Sequence, residues 1–156
     1  FTALIRTLIG LVPAIILTSP LFGVSILKLG LPLLLLFLSL YIFGITLGLF
    51  VSAGLMRFGP SFENIAWSSL FLLAPLGCIY YPIEILPNFF QIIAKGLPLV
   101  YIFDETRNIL LNNFVNYENL KQAYLLNLIY LTFGIILFYF SFLKARIKGT
   151  LINMGE

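Results

Sequence analysis

Asp104, Glu105 and Arg107 form the densest charged group in the chain outside its C-terminal tail. Carboxylates beside a guanidinium can hold a gate shut by ion pairing, or contact a substrate. They can equally be the ion-paired end of a helix at a membrane interface. Other residue types that do chemistry are scarce. There is no histidine and one cysteine, Cys78. That excludes an internal disulfide and the usual zinc sets. Cys78 lies in an apolar run, where a thiol behaves as a small buried hydrophobe. The sequence has no GxSxG nucleophile turn, no HExxH and no Walker phosphate loop, so it is not expected to hydrolyse ATP itself. Catalytic, cofactor-binding and metal-binding residues are therefore not assigned. An intramembrane enzyme is disfavoured because the long apolar runs carry no ionisable residue at their centres.

Those runs must position whatever the charged group does. The stretch from Leu29 to Met56 has no ionisable side chain. At about 1.5 Å per residue it can cross the roughly 30 Å hydrocarbon layer. Hydrophobic residues make up 61% of the chain and charged residues 10%, with mean hydropathy +1.08. Soluble domains carry roughly 25% charged residues. Bilayer is the solvent that fits. The chain begins with Phe1, as a fragment or processed product would, and no signal peptide is expected.

Four spans are expected. Span A covers about Leu8–Leu27 and is interrupted by Pro13 and Pro20. Span B covers Leu29–Met56, has Pro32 in its first turn and ends at Arg57. A tight connection around Lys28–Leu31 makes A and B an antiparallel hairpin. Gly59-Pro60 stops span B, Ser61 caps the next helix, and Glu63 complements its dipole. Span C covers about Ile65–Ile83, with Pro75 predicting a mid-helix kink. Trp67, Tyr80, Tyr81 and Tyr101 read as interface anchors. Residues Asn113–Gln122 form a polar bridge to span D, about Ala123–Leu143.

Residues Glu84–Asn112 are apolar but broken by Pro87, Gly96 and Pro98. Each piece flanking Gly96-Leu97-Pro98 is about a dozen residues, too short to cross as a helix. Crossing as one helix would place Lys95 in mid-membrane. Two half-helices that dip in and return to the same side fit better. The expected fold is thus all-α: one polytopic membrane helical bundle over residues 1–156, with an outer re-entrant hairpin at 84–112. With a returning hairpin both termini share a side. Arg6, Arg57, Lys144, Arg146 and Lys148 fall there, against Lys28, Lys95, Arg107 and Lys121 on the other side, and the compact Lys144, Arg146 and Lys148 group next to span D tips the placement of both ends to the cytoplasm under the positive-inside rule. The basic tail orients the chain and is not a nucleic-acid patch, because no basic groove with interleaved aromatics accompanies it. Gly44, Gly48 and Ser52 line one face of span B, where small residues let another helix approach. That contact is expected within the chain or with a second copy. Arg57 and Glu63 are candidate contacts for a cytoplasmic partner.

Three segments, GLFVSAGLMRFG (Gly48–Gly59), APLGCIYYPIEILPNFFQIIAKGLP (Ala74–Pro98) and YIFDETRNIL (Tyr101–Leu110), occur in an order with meaning. An Arg-x-Gly turn is followed by a span containing proline, a Tyr-Pro and a Leu-Pro pair, and an acidic residue before an arginine. This order resembles the type-2 export permeases, the membrane subunits of ATP-binding-cassette exporters, over about Leu29–Leu143. The resemblance implies a six-span permease with an outer hairpin between its fifth and sixth spans. Spans A to D would match the third to sixth. It further implies a dimer with a second permease copy, and a cytoplasmic ATPase that binds the ATP. Tyr81, Pro82, Pro87, Gly96, Pro98, Glu105 and Arg107 would belong to the hairpin or outer gate. The apolar spans favour an amphipathic cargo such as a drug, lipid or lipid-linked glycan. The other reading is a non-transport assembly or interaction subunit, whose main surface would be the Gly44-Gly48-Ser52 face.

Overall fold

A computed structural model describes residues 30–112 and 115–148, with 5, 6, 9, 10, 12, 13 and 16 as isolated positions before them. Span A lies outside the described residues apart from those positions, as does Lys28. The described residues are helical throughout their regular structure. Helix α1 is Gly30–Phe58, α2 is Phe62–Leu76, α3 is Asn88–Ala94, α4 is Pro98–Asn112 and α5 is Tyr117–Lys148. A single 3-10 turn, Ile83–Ile85, precedes α3. Helices α1 and α5 are long and apolar enough to cross a membrane. They measure about 43 and 48 Å at the helical rise.

The two long helices lie side by side in parallel. Tyr124 of α5 donates to the Leu35 carbonyl and Asn127 to Ser39. Tyr130 meets Phe43 edge-on, and Gly134 lies against Thr46. Residue numbers therefore rise together along both helices. The buried positions of α1 are Leu36, Ser39, Phe43, Thr46, Ala53 and Gly54. Those of α5 are Ala123, Asn127, Gly134, Ser141 and Ala145. Alternating three- and four-residue steps are the seam of left-handed helix packing. Small residues on the α5 side let the backbones approach. A Cβ at Gly134 would already touch Leu49, Phe50 and Thr46 at 3.6 Å.

Helix α1 stops where the sequence says it should. Gly59 takes φ 80° and its N–H donates to the Leu55 carbonyl, the left-handed cap that glycine favours. Pro60 prevents continuation, and the Phe58 and Phe62 rings stack at 5.7 Å across the turn. Ser61 does not cap α2 as expected. Its backbone is helical, at φ −58° and ψ −21°, and its side chain makes no capping bond. A serine hydroxyl reaches the N2 or N3 amide from an extended backbone, which this residue lacks.

Span C is shorter than expected. Helix α2 has 15 residues, about 22 Å, and Pro75 sits in its last turn instead of kinking its middle. The chain turns at Gly77 and Cys78, where Cys78 takes φ 52°. The Pro75 carbonyl then accepts from the Cys78 N–H and from the Tyr81 hydroxyl. Proline and the left-handed residue after it end the helix together. At the other end of the chain, α5 begins at Tyr117 and not near Ala123. The expected polar bridge is mostly its first turns, and Lys144 and Arg146 belong to its last turns rather than to a tail. Cations there complement the helix dipole.

Candidate functional site

The broken segment folds as two helices joined at Lys95-Gly96-Leu97. The pieces are unequal, seven residues in α3 and fifteen in α4. Pro87 immediately precedes α3 with an extended backbone, and its carbonyl accepts from the Gln91 N–H. Pro82 has the same role before the 3-10 turn. Pro98 opens α4, the position where its missing N–H costs nothing. The turn is held from both sides. Tyr101 donates to the Lys95 carbonyl at 3.0 Å, and Tyr130 of α5 donates to the Gly96 carbonyl at 3.1 Å.

Helix α4 runs antiparallel to α5. Its beginning lies near Tyr130, and Asp104 and Glu105 lie near Asn119 and Asn116. Tyr130 is thirteen residues into α5, so the turn reaches about 20 Å along that helix from its start.

Glu105 is the largest fully buried side chain among the described residues, at 0% exposure. Its Oε1 accepts from the Asn116 backbone N–H at 2.7 Å, and its Oε2 from Asn119 Nδ2 at 3.2 Å. Asn116 in turn caps α5, its Oδ1 accepting from the Glu118 N–H at 3.0 Å. A buried carboxylate is stable only when hydrogen-bonded in this way, and the positive end of a helix dipole favours it further. Asn119 Nδ2 also reaches Asp104 Oδ2 at 3.3 Å.

Arg107 faces the other way. Its Nη2 lies 3.5 Å from Asp104 Oδ1, and its Nη1 donates to the Cys78 carbonyl at 2.8 Å. Nη2 is buried and makes no hydrogen bond. The cluster thus fastens α4 to the start of α5 through Glu105 and to the end of α2 through Arg107. Local ion pairing, one of the two readings of this group, holds for Asp104 and Arg107. Glu105 does something else: it reaches across eleven residues to the cap of the next helix. The arrangement offers no free nucleophile, and no group of three or more metal-ligating side chains occurs among the described residues. Its chemistry is that of a latch.

Tyr81, Pro82, Pro87, Gly96, Pro98, Glu105 and Arg107 are all used in building this assembly. Arg57 is elsewhere, exposed at the end of α1 with its guanidinium 5.7 Å from the Phe58 ring centre. Glu63 is exposed in the first turn of α2. Gly44 and Gly48 are exposed, and a Cβ at either would meet nothing within 4 Å among the described residues. The α1 face that packs on α5 is the adjacent stripe through Ser39 and Thr46.

Asn116, Asn119, Tyr124, Asn127 and Tyr130 were not among the sequence candidates. Asn127 is buried, and its Nδ2 donates to both the carbonyl and the hydroxyl of Ser39, at 2.9 and 2.8 Å. Its Oδ1 is buried without a partner. The signal was present: 116, 119, 123, 127, 130 and 134 step by three and four along one face of an otherwise apolar helix. No family model, curated protein or solved structure matches this chain.

Proposed function

We propose that this chain is the membrane-embedded part of a permease subunit of an ATP-driven exporter. The observation that carries this reading is the parallel pairing of α1 and α5. Two parallel spans need an odd number of crossings between them. One crossing by α2 together with the residues that follow it to Tyr81, and a hairpin that dips in and returns, satisfy that count. A hairpin that crossed would make α1 and α5 antiparallel. The apolar part of α5 begins near Ala123, so a turn held at Tyr130 would sit about 10 Å inside the outer boundary. In this reading the protein is a multi-pass component of the cytoplasmic membrane with both ends inside.

The Glu105–Asn116 and Arg107–Cys78 ties then hold the hairpin as an outer lid. Transport is by alternating access. ATP binding on a partner ATPase closes that ATPase, which favours one arrangement of a permease dimer over the other. The cargo is amphipathic, a drug, lipid or lipid-linked glycan. Arg57 and Glu63, at the α1–α2 turn, are on the ATPase side.

A second reading, a non-transport assembly subunit, is favoured by one observation. The Gly44-Gly48 face is open and small-sided, suited to another helix. A mild-detergent pull-down of the native full-length protein separates the two. A nucleotide-binding ATPase in near-equal amount supports the exporter. Another membrane protein in its place supports the assembly subunit. Topology is tested by placing cysteine at Asn112, the exposed end of α4, in a Cys78→Gly background, since glycine accepts φ 52°. Labelling by an impermeant thiol reagent from outside is expected, and labelling only from the cytoplasmic side overturns the returning hairpin.

A further inference from the structure

A groove of about 820 Å³ lies between the C-terminal ends of α1 and α5. Its walls are apolar, formed by side chains such as Phe133, Ile136, Leu137 and Phe140, and Arg57 and Lys144 line it as well. The parallel pairing explains why the two cations share one end: Asn127 pairs with Ser39, and the same offset of 88 sets Arg57 beside residue 145. Both cations are exposed, and neither has a carboxylate within ion-pairing distance among the described residues. From Phe133 to Lys144 the groove follows about 16 Å of α5, roughly half of the 30 Å hydrocarbon layer. With α1 and α5 as spans, that is the depth of one leaflet, and the two cations mark the end that would meet water.

We propose that this groove binds an anionic phospholipid of the surrounding bilayer. The phosphate is held between Arg57 and Lys144, and an acyl chain lies along Phe133, Ile136, Leu137 and Phe140. Charge selects the occupant. A neutral apolar segment would leave both cations facing it without a partner, whereas an anionic headgroup on an apolar tail matches both parts of the site. Two cations near a membrane surface, at about five-fold per cation, give a preference of roughly 30-fold for anionic over zwitterionic lipid.

The inference rests on reading α1 and α5 as membrane spans, so alkaline carbonate extraction of membranes holding the full chain comes first. Release of the chain refutes that reading and the lipid site with it. Retention leaves the site to be judged alone. The purified full chain is then given phosphatidylglycerol or phosphatidylcholine of identical acyl chains in mixed micelles, and bound lipid is counted by native mass spectrometry. The expected result is a strong preference for phosphatidylglycerol that R57Q/K144Q abolishes. K95Q/K121Q, with the same change in net charge, keeps it. Equal binding of both lipids, or an unchanged preference in R57Q/K144Q, overturns the proposal. A photo-crosslinking phenylalanine analogue at Phe140 gives the second readout. A lipid adduct supports the site. A link to a second copy, or to the first 29 residues of the same chain, assigns the groove to protein and overturns it.

Discussion

Replacing Glu105 by glutamine changes one oxygen to an amide nitrogen and removes one charge. Volume is conserved, so the effect isolates the hydrogen bonds. In the native protein both carboxylate oxygens accept, one from the Asn116 N–H and one from Asn119 Nδ2. A glutamine can satisfy the first and then sets its own N–H₂ against the Asn119 N–H₂. Turning Asn119 over does not repair this, because its oxygen would then face Asp104. Hydrogen bonds to a charged group are each worth about 1.5–3 kcal/mol, and the charge beside the start of α5 adds about 0.3–1. The expected loss is about 2–4 kcal/mol. At about 2–4 °C per kcal/mol for a chain of this size, E105Q should melt roughly 4–16 °C lower in detergent. Glu105→Ala should lose more, since it also leaves the Asn116 N–H unanswered. A double-mutant cycle with Asn119→Ala supplies the decisive number. A coupling of about 1 kcal/mol or more is expected between residues sharing a bond. A melting temperature for E105Q within 1 °C of the native value, or a coupling near zero, would refute the latch.

Four further outcomes follow from the same geometry. Arg107→Ala should free the end of α2, so that the buried Cys78 thiol reacts with maleimide at least about ten-fold faster than in the native protein, the equivalent of about 1.4 kcal/mol of easier opening; equal rates would show that the Cys78 carbonyl contact holds nothing. Gly134→Leu should force α1 and α5 apart and cost about 1–3 kcal/mol in a melting experiment, because its site is already in contact with Leu49, Phe50 and Thr46. Gly48→Leu should leave the same melting curve unchanged in the isolated chain, and a fall would reveal a neighbour on that face. Tyr130→Phe removes the bond to the Gly96 carbonyl and should cost about 0.5–1.5 kcal/mol, read as faster amide exchange over residues 94–100 with α1 unaffected; unchanged exchange would mean the turn is held without it.

The sequence by itself determined what depends on composition and on neighbouring residues. A run of 28 residues without a charge has to be a buried or membrane helix, and α1 runs from Gly30 to Phe58 accordingly. Gly59-Pro60 stops a helix in almost any surroundings, because one residue permits a left-handed turn and the next lacks an N–H. Pro98 likewise lacks an N–H and so opens a new helix, while Gly96 sits in the break without a left-handed backbone. Tertiary structure decided what depends on partners far along the chain. Asp104, Glu105 and Arg107 are equally charged on paper, yet only Glu105 is fully buried, because the cap of α5 folds back onto it. The start of α5 at Tyr117 depends on that same contact, so polar residues that read as a bridge became helix. Pro75 ends α2 because Cys78 turns after it and Tyr81 reaches back to its carbonyl. In α1 every face is apolar or small, so hydrophobic periodicity could not tell the Ser39–Thr46 stripe from the Gly44–Gly48 stripe. Close packing against Asn127 and Gly134 made that choice, since polar groups away from water must find partners and small residues fix where two backbones meet.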